Sequence, residues 1–227
     1  LGFGNSDPLP SKVTMEVLAQ ADVHFMDAVG IDKAHIFGIH TGNKIGVALA
    51  AEFPERVSTL MLCGQPHSII DDKTKRDAAI LSIVDAHMAK AVSTDDGAHL
   101  LRDWVSEFSR ISNLWWDPNV LSKKSHTPEE FQLLERRILD LIQARHSIFD
   151  IYTANFAYDW GAGLRKIKAK TLFVELATGH EVVRHGRQGE SLISIVPNSK
   201  LTSIEGADGN AIENRADDIA AAILDFL

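Results

Sequence analysis

Ala34-His35-Ile36-Phe37-Gly38-Ile39-His40-Thr41-Gly42-Asn43-Lys44-Ile45-Gly46-Val47-Ala48-Leu49-Ala50 is the stretch on which the fold turns. Its first six residues form an apolar run of the length of a buried strand. A turn with glycine on both sides of His40 follows. Small and branched residues then continue as a helix to Phe53, with Gly46, Ala50 and Ala51 offering a surface for close packing on a sheet.

Working outward, the same alternation repeats. Thr14 to Val29 reads as a helix, with Val17, Leu18, Ala21, Phe25, Met26 and Val29 at helical spacing and Gly30 as the stop. Val57–Cys63 is an apolar strand ended by Gly64-Gln65-Pro66, and 171–176 and 200–204 are further strands. A last helix, from about Ala216, carries Ile219, Ala222, Ile223 and Phe226 on one face. Strands alternating with helices predict an α/β fold with one mostly parallel sheet.

The chain has 227 residues, 45% of them hydrophobic, enough for one globular domain with an insertion. Acidic residues outnumber basic ones, 31 to 23, and no strong basic run occurs, which argues against nucleic acid or an anionic membrane as partner. No apolar run is long enough to span a membrane, and the single Cys63 excludes an internal disulfide framework, so the expected location is cytoplasmic.

Gly38-Ile39-His40-Thr41-Gly42 resembles the nucleophile elbow, G-x-S-x-G, of the α/β-hydrolase family, with histidine where that family has serine. Other segments resemble the family in the same order. They are Leu1-Gly2-Phe3-Gly4-Asn5-Ser6-Asp7-Pro8, Phe53-Pro54-Glu55-Arg56-Val57, Tyr158-Asp159 through Val174, and Ile204-Glu205-Gly206-Ala207-Asp208 on to the final helix. The resemblance implies an α/β-hydrolase core over 1–66 and 165–227 and a helical cap over 67–164. It also implies that four further strands precede Leu1 in the family's order and lie outside this sequence; the alternative is a reduced fold whose open edge a partner fills.

Within the cap, Ile80, Leu81, Val84 and Met88, then Leu101, Trp104, Val105, Phe108 and Ile111, then Phe131, Leu134, Ile138, Leu141 and Ile142 form apolar helix faces. Trp115-Trp116-Asp117-Pro118 reads as a break between helices, and Thr127-Pro128 as a helix start. Trp115 and Trp116 are either ordinary cap core or a substrate wall. Cys63 either lines the substrate pocket or fills space as a small apolar group. His24 and His35 read as structural. His180-Glu181-Val182-Val183-Arg184-His185 is one residue too long for a zinc-binding H-E-x-x-H helix, so no metal is expected.

The resemblance implies a nucleophile, an acid and a histidine, and none has its usual residue. His40 replaces the nucleophile, Glu181 or His180 stands near the acid, and 206–210 contains no histidine but does contain Asp208. A neutral imidazole beside a helix N-terminus can still act as a base, with Asp208 as orienter, Glu181 as fallback and the Thr41 N–H as an oxyanion donor. The expected function is therefore hydrolysis of a small apolar carbonyl compound, an ester or lactone, with His40 as general base and no cofactor. Two alternatives stand beside it: an inactive relative that binds a small ligand or protein partner, and a cofactor-free lyase or isomerase. A homodimer is compatible with either.

Overall fold

The computed structural model describes residues 1–64, 73–84, 95–101, 104, 113–114, 117–121, 127–177, 179, 182, 186–207 and 211–227. They divide into two compact units, one of 1–12 and 74–153, the other of 13–73 and 154–227.

The larger unit holds the sheet. It begins with α1 (Met15–Ala28), β1 (Ala34–Ile39), α2 (Thr41–Glu52), a 3-10 turn (Pro54–Arg56) and β2 (Val57–Cys63). The smaller unit carries most of α3 (Lys73–Val84), a ribbon of β3 (Asn113–Leu114) and β4 (Asp117–Leu121), α4 (Pro128–Ala144) and the start of α5 (Ile148–Ala157). The chain then returns through α6 (Trp160–Lys166), β5 (Lys170–Ala177), α7 (Gly189–Ile195), β6 (Ser199–Glu205), α8 (Ala211–Asn214) and α9 (Ala216–Phe226). Among the described residues the sheet has the order β1-β2-β5-β6, with every neighbouring pair parallel.

This is the α/β fold with a parallel sheet that the alternating pattern predicts, and the β3-β4 ribbon is a second, two-stranded sheet. Parallel strands covered on both faces read as continuous apolar runs, as β2 and β5 do. On one face Met61, Cys63, Leu172, Val174, Leu176 and Ile204 pack with Ala207, Ala211, Ile219 and Phe226. On the other, α2 lies on the sheet with Gly46 against Leu60, Ile36 and Leu62. Arg56 pins the start of β2 to the end of α1: its guanidinium donates to the carbonyls of Asp32 at 2.7 Å and Ile31 at 2.9 Å and to the Asp27 carboxylate at 2.7 Å.

Two local expectations need correction. Helix α1 forms as read, with the Thr14 hydroxyl accepting from the Val17 N–H at 3.2 Å, but its inner face differs. Leu18 and Met26 are buried together with Met15, Ala19 and Val23, whereas Phe25 is 64% exposed and Val29 52%. The helix carries two apolar stripes, and the one containing the small Ala19 is the buried one; periodicity alone does not choose between them. Asp117-Pro118 lies between helices, as read, but it does so as the opening of β4, which pairs antiparallel with β3. A two-stranded ribbon has an outward side on which proline's missing N–H costs nothing.

In the smaller unit α4 starts at Pro128, as the Thr127-Pro128 signal predicts, and buries Ile138 completely. The Ser147 hydroxyl donates to the Gly2 carbonyl at 2.5 Å, tying the first residues to the turn before α5. Trp115 and Trp116 lie outside the described residues.

Candidate active site

Strand β1 ends at Ile39 and α2 begins at Thr41, so a single residue, His40, makes the whole turn. It does so at φ 47° and ψ −111°, and among the described residues it alone has a positive φ without being glycine. Such a conformation costs of the order of 1–3 kcal/mol and persists only where the surroundings over-determine it.

The over-determination is visible. Gly38 faces Gly42 so closely that a Cβ on Gly38 would lie 2.5 Å from the Gly42 carbonyl oxygen. A Cβ on Gly42 would meet nothing within 4 Å, so the close approach depends on Gly38 alone. The His40 N–H donates to the Cys63 carbonyl at 3.2 Å, and the Asn43 N–H to the His40 carbonyl at 3.1 Å. The side chain of Asn43, 4% exposed, also engages Cys63: Nδ2 donates to its carbonyl at 2.8 Å, and its N–H donates back to Oδ1 at 3.1 Å. The turn is thus tied to the end of β2 by main chain and side chain together.

His40 itself is exposed and caps α2 without a side-chain hydrogen bond to the helix. The first N–H groups of a helix have no partner within it, so Thr41 and its neighbours present donors beside the imidazole. The imidazole lies against Gly64, the residue that follows β2. Lys44, one turn into α2, is buried and donates to the Asn155 carbonyl at 2.6 Å, where its charge meets the negative end of α5.

Cys63 is fully buried among the apolar side chains between the sheet and α9. Burial pushes its thiol up to about 12, so it stays protonated and a poor nucleophile. Glu175, in the middle of an apolar run, was not singled out by the sequence patterns. It is 3% exposed, and its carboxylate accepts from the N–H groups of Gln188 at 2.9 Å and Gly189 at 3.0 Å, from the Ser203 hydroxyl at 3.1 Å and from Arg187 at 3.4 Å. It caps the start of α7. A lone glutamate inside a β-type apolar run was the available signal.

Glu181, Asp208 and His180 lie outside the described residues, as does His185. Among the described residues no group of three or more His, Cys, Asp and Glu is placed to hold a metal ion, and no helix is long and apolar enough to cross a membrane. A small pocket beneath the turn, lined by residues including Asn43, Gly64, Trp160 and Glu175, has room for about one water molecule and is too small for an ester.

A model of the alpha/beta hydrolase fold matches residues 1–213. A 2-hydroxy-6-oxononadienedioate/2-hydroxy-6-oxononatrienedioate hydrolase from a Pseudomonas species is 35% identical over 63 residues, which are 28% of this chain and 22% of that protein. The match therefore spans only about a fifth of the relative's length. Among solved structures, a hydrolase from Pseudomonas aeruginosa PA01 superposes with a TM-score of 0.63 at 20% identity, covering 99% of this chain and 76% of that one. The enol-lactonase from Burkholderia xenovorans LB400 superposes with a TM-score of 0.60 at 19% identity, covering 99% and 77%. At these identities the superpositions show the fold alone.

Proposed function

Because this chain belongs to the alpha/beta hydrolase fold family, we propose that it hydrolyses a small, largely apolar carbonyl compound, an ester or lactone, with His40 as general base in place of a serine nucleophile. The observation that carries this reading is the placement of His40: exposed, in a strained conformation, at the strand-to-helix turn where the G-x-S-x-G resemblance puts the reacting side chain.

In this mechanism the neutral imidazole takes a proton from a water molecule. The water oxygen bonds to the carbonyl carbon, whose oxygen becomes an oxyanion facing the Thr41 N–H. Collapse breaks the bond to the leaving alkoxide, and the imidazolium returns the proton to it. Asp208 is the proposed orienter of the imidazole and Glu181 the fallback. The matched relative carries a hydrolase name, which supports the reaction class.

A second reading is a relative without turnover that binds a small molecule. It is favoured by the residues themselves: position 40 has no hydroxyl, and 206–210 has no histidine. A panel of acyl esters, lactones and epoxides offered to wild type and His40→Ala separates the two. Hydrolysis by wild type that disappears in His40→Ala is the expected result. Equal rates in both proteins would overturn the role of His40, and no turnover with any substrate would favour the second reading.

A further inference from the structure

Gly64 stands at the end of β2 with φ +106°, a conformation closed to ordinary side chains. It is held on both sides. Its own N–H donates to the Val174 carbonyl at 3.0 Å, and the preceding Cys63 carbonyl accepts from the His40 N–H at 3.2 Å and from Asn43 Nδ2 at 2.8 Å. Against this fixed point lies the imidazole of His40. A Cβ on Gly64 would sit 2.9 Å from Nδ1, 3.2 Å from Cε1 and 3.6 Å from the His40 main-chain nitrogen. The edge of the ring between Nδ1 and Cε1 therefore occupies the space that any side chain at position 64 would fill, and Nε2 is the ring nitrogen farther from Gly64.

We infer that Gly64 is a positioning residue for His40: the missing side chain is the seat of the imidazole, and it fixes which ring nitrogen faces away from Gly64. The functional consequence rests on the reading of His40 as base; the seat itself does not. Two requirements meet at one position. The backbone needs a positive φ, and the ring needs the empty space, so glycine is fixed there twice over. The atoms a new methyl would strike first belong to a side chain and not to the backbone, so Gly64→Ala displaces the ring before it displaces the sheet.

The test is a double-mutant cycle with an independent readout on the ring. Urea midpoints are compared for wild type, Gly64→Ala, His40→Ala and the double variant, and the His40 ring nitrogens are followed by NMR in the two proteins that keep the imidazole. The seat predicts a smaller drop in midpoint from Gly64→Ala when the ring is already gone, and displaced His40 ring resonances in Gly64→Ala. On any ester that wild type hydrolyses, kcat falls about 10²-fold with KM little changed. Equal drops in both backgrounds with unmoved resonances overturn the seat, even if His40→Ala abolishes turnover. Coupling and moved resonances with turnover indifferent to His40 leave the seat standing and remove the base. Should Gly64→Ala alone not fold, a folded double variant supports the seat and an unfolded one overturns it.

Discussion

Asn43 holds Cys63 by both of its main-chain polar groups, as a neighbouring strand would, although it does so with a side-chain amide from the first turn of a helix. Both bonds are buried. Asn43→Ala removes both of these buried bonds to Cys63, while the Cys63 carbonyl keeps the His40 N–H. The expected loss is about 2–3 kcal/mol in urea unfolding. A change below about 0.5 kcal/mol would show that Asn43 does not secure the turn.

The two glycines that flank His40 should respond oppositely. Gly38→Ala sets a methyl against the Gly42 backbone, which cannot rotate away, and should lower the thermal midpoint or prevent folding. Gly42→Ala enters open space inside α2 and should raise stability by about 0.5–1 kcal/mol through the lower entropy of the unfolded chain. Equal effects at the two positions would contradict the close approach at Gly38.

Replacing His40 by glycine removes the strain of its positive φ while giving back part of the gain as backbone entropy. The net expectation is a protein more stable by about 1 kcal/mol and without turnover. A loss of stability on His40→Gly would mean that the ring's contacts outweigh the strain.

Fluorophosphonate probes should leave the protein unlabelled, because position 40 offers no hydroxyl. His40→Ser alone should stay inactive, since no histidine in 206–210 stands ready to take the proton from the new hydroxyl. Strong labelling of wild type would place the nucleophile elsewhere in the chain.

Cys63 makes stability depend on alkaline pH. Its folded-state pKa is raised to about 12 by burial, so the native protein keeps the proton that the unfolded chain releases near the ordinary thiol value of about 8.5. The unfolded state then binds fewer protons, and stability falls as pH rises from that value toward the folded one. Tyr158, raised by burial and then by Glu16, Glu52 and Asp159, adds to the same slope at higher pH. Urea midpoints between pH 7 and 10 should decline in wild type and decline less in Cys63→Ala. Parallel curves would show that the thiol is not desolvated.

Strands β2 and β5 were legible because parallel strands buried on both faces leave uninterrupted apolar runs, which Leu60-Met61-Leu62-Cys63 and Thr171-Leu172-Phe173-Val174 display. His40 was legible as the turn residue because glycines bracket it. What periodicity did not show was relational. Phe25 and Met15 both suit a helix face, and only the packing chooses Met15. Gly64 read as the end of a strand, since its role lies in a contact with a residue 24 positions earlier. Asn43 and Lys44 read as helix filler because their partners, Cys63 and Asn155, come from other elements.

The order of the sheet also grades its persistence. Among the described residues β2 and β5 each have a neighbour on both sides, while β1 has only β2, and Phe37 on it is 46% exposed. Amide protons in β2 and β5 should therefore outlast those in β1 in deuterium exchange. His40 hangs from the end of the shorter-lived strand, and Gly64 from the end of a longer-lived one. A brief detachment of β1 lifts the imidazole away from its seat while the centre of the sheet stays closed. In a chain of these residues alone, opening of this kind would release His40 from Gly64 before the centre of the sheet opens.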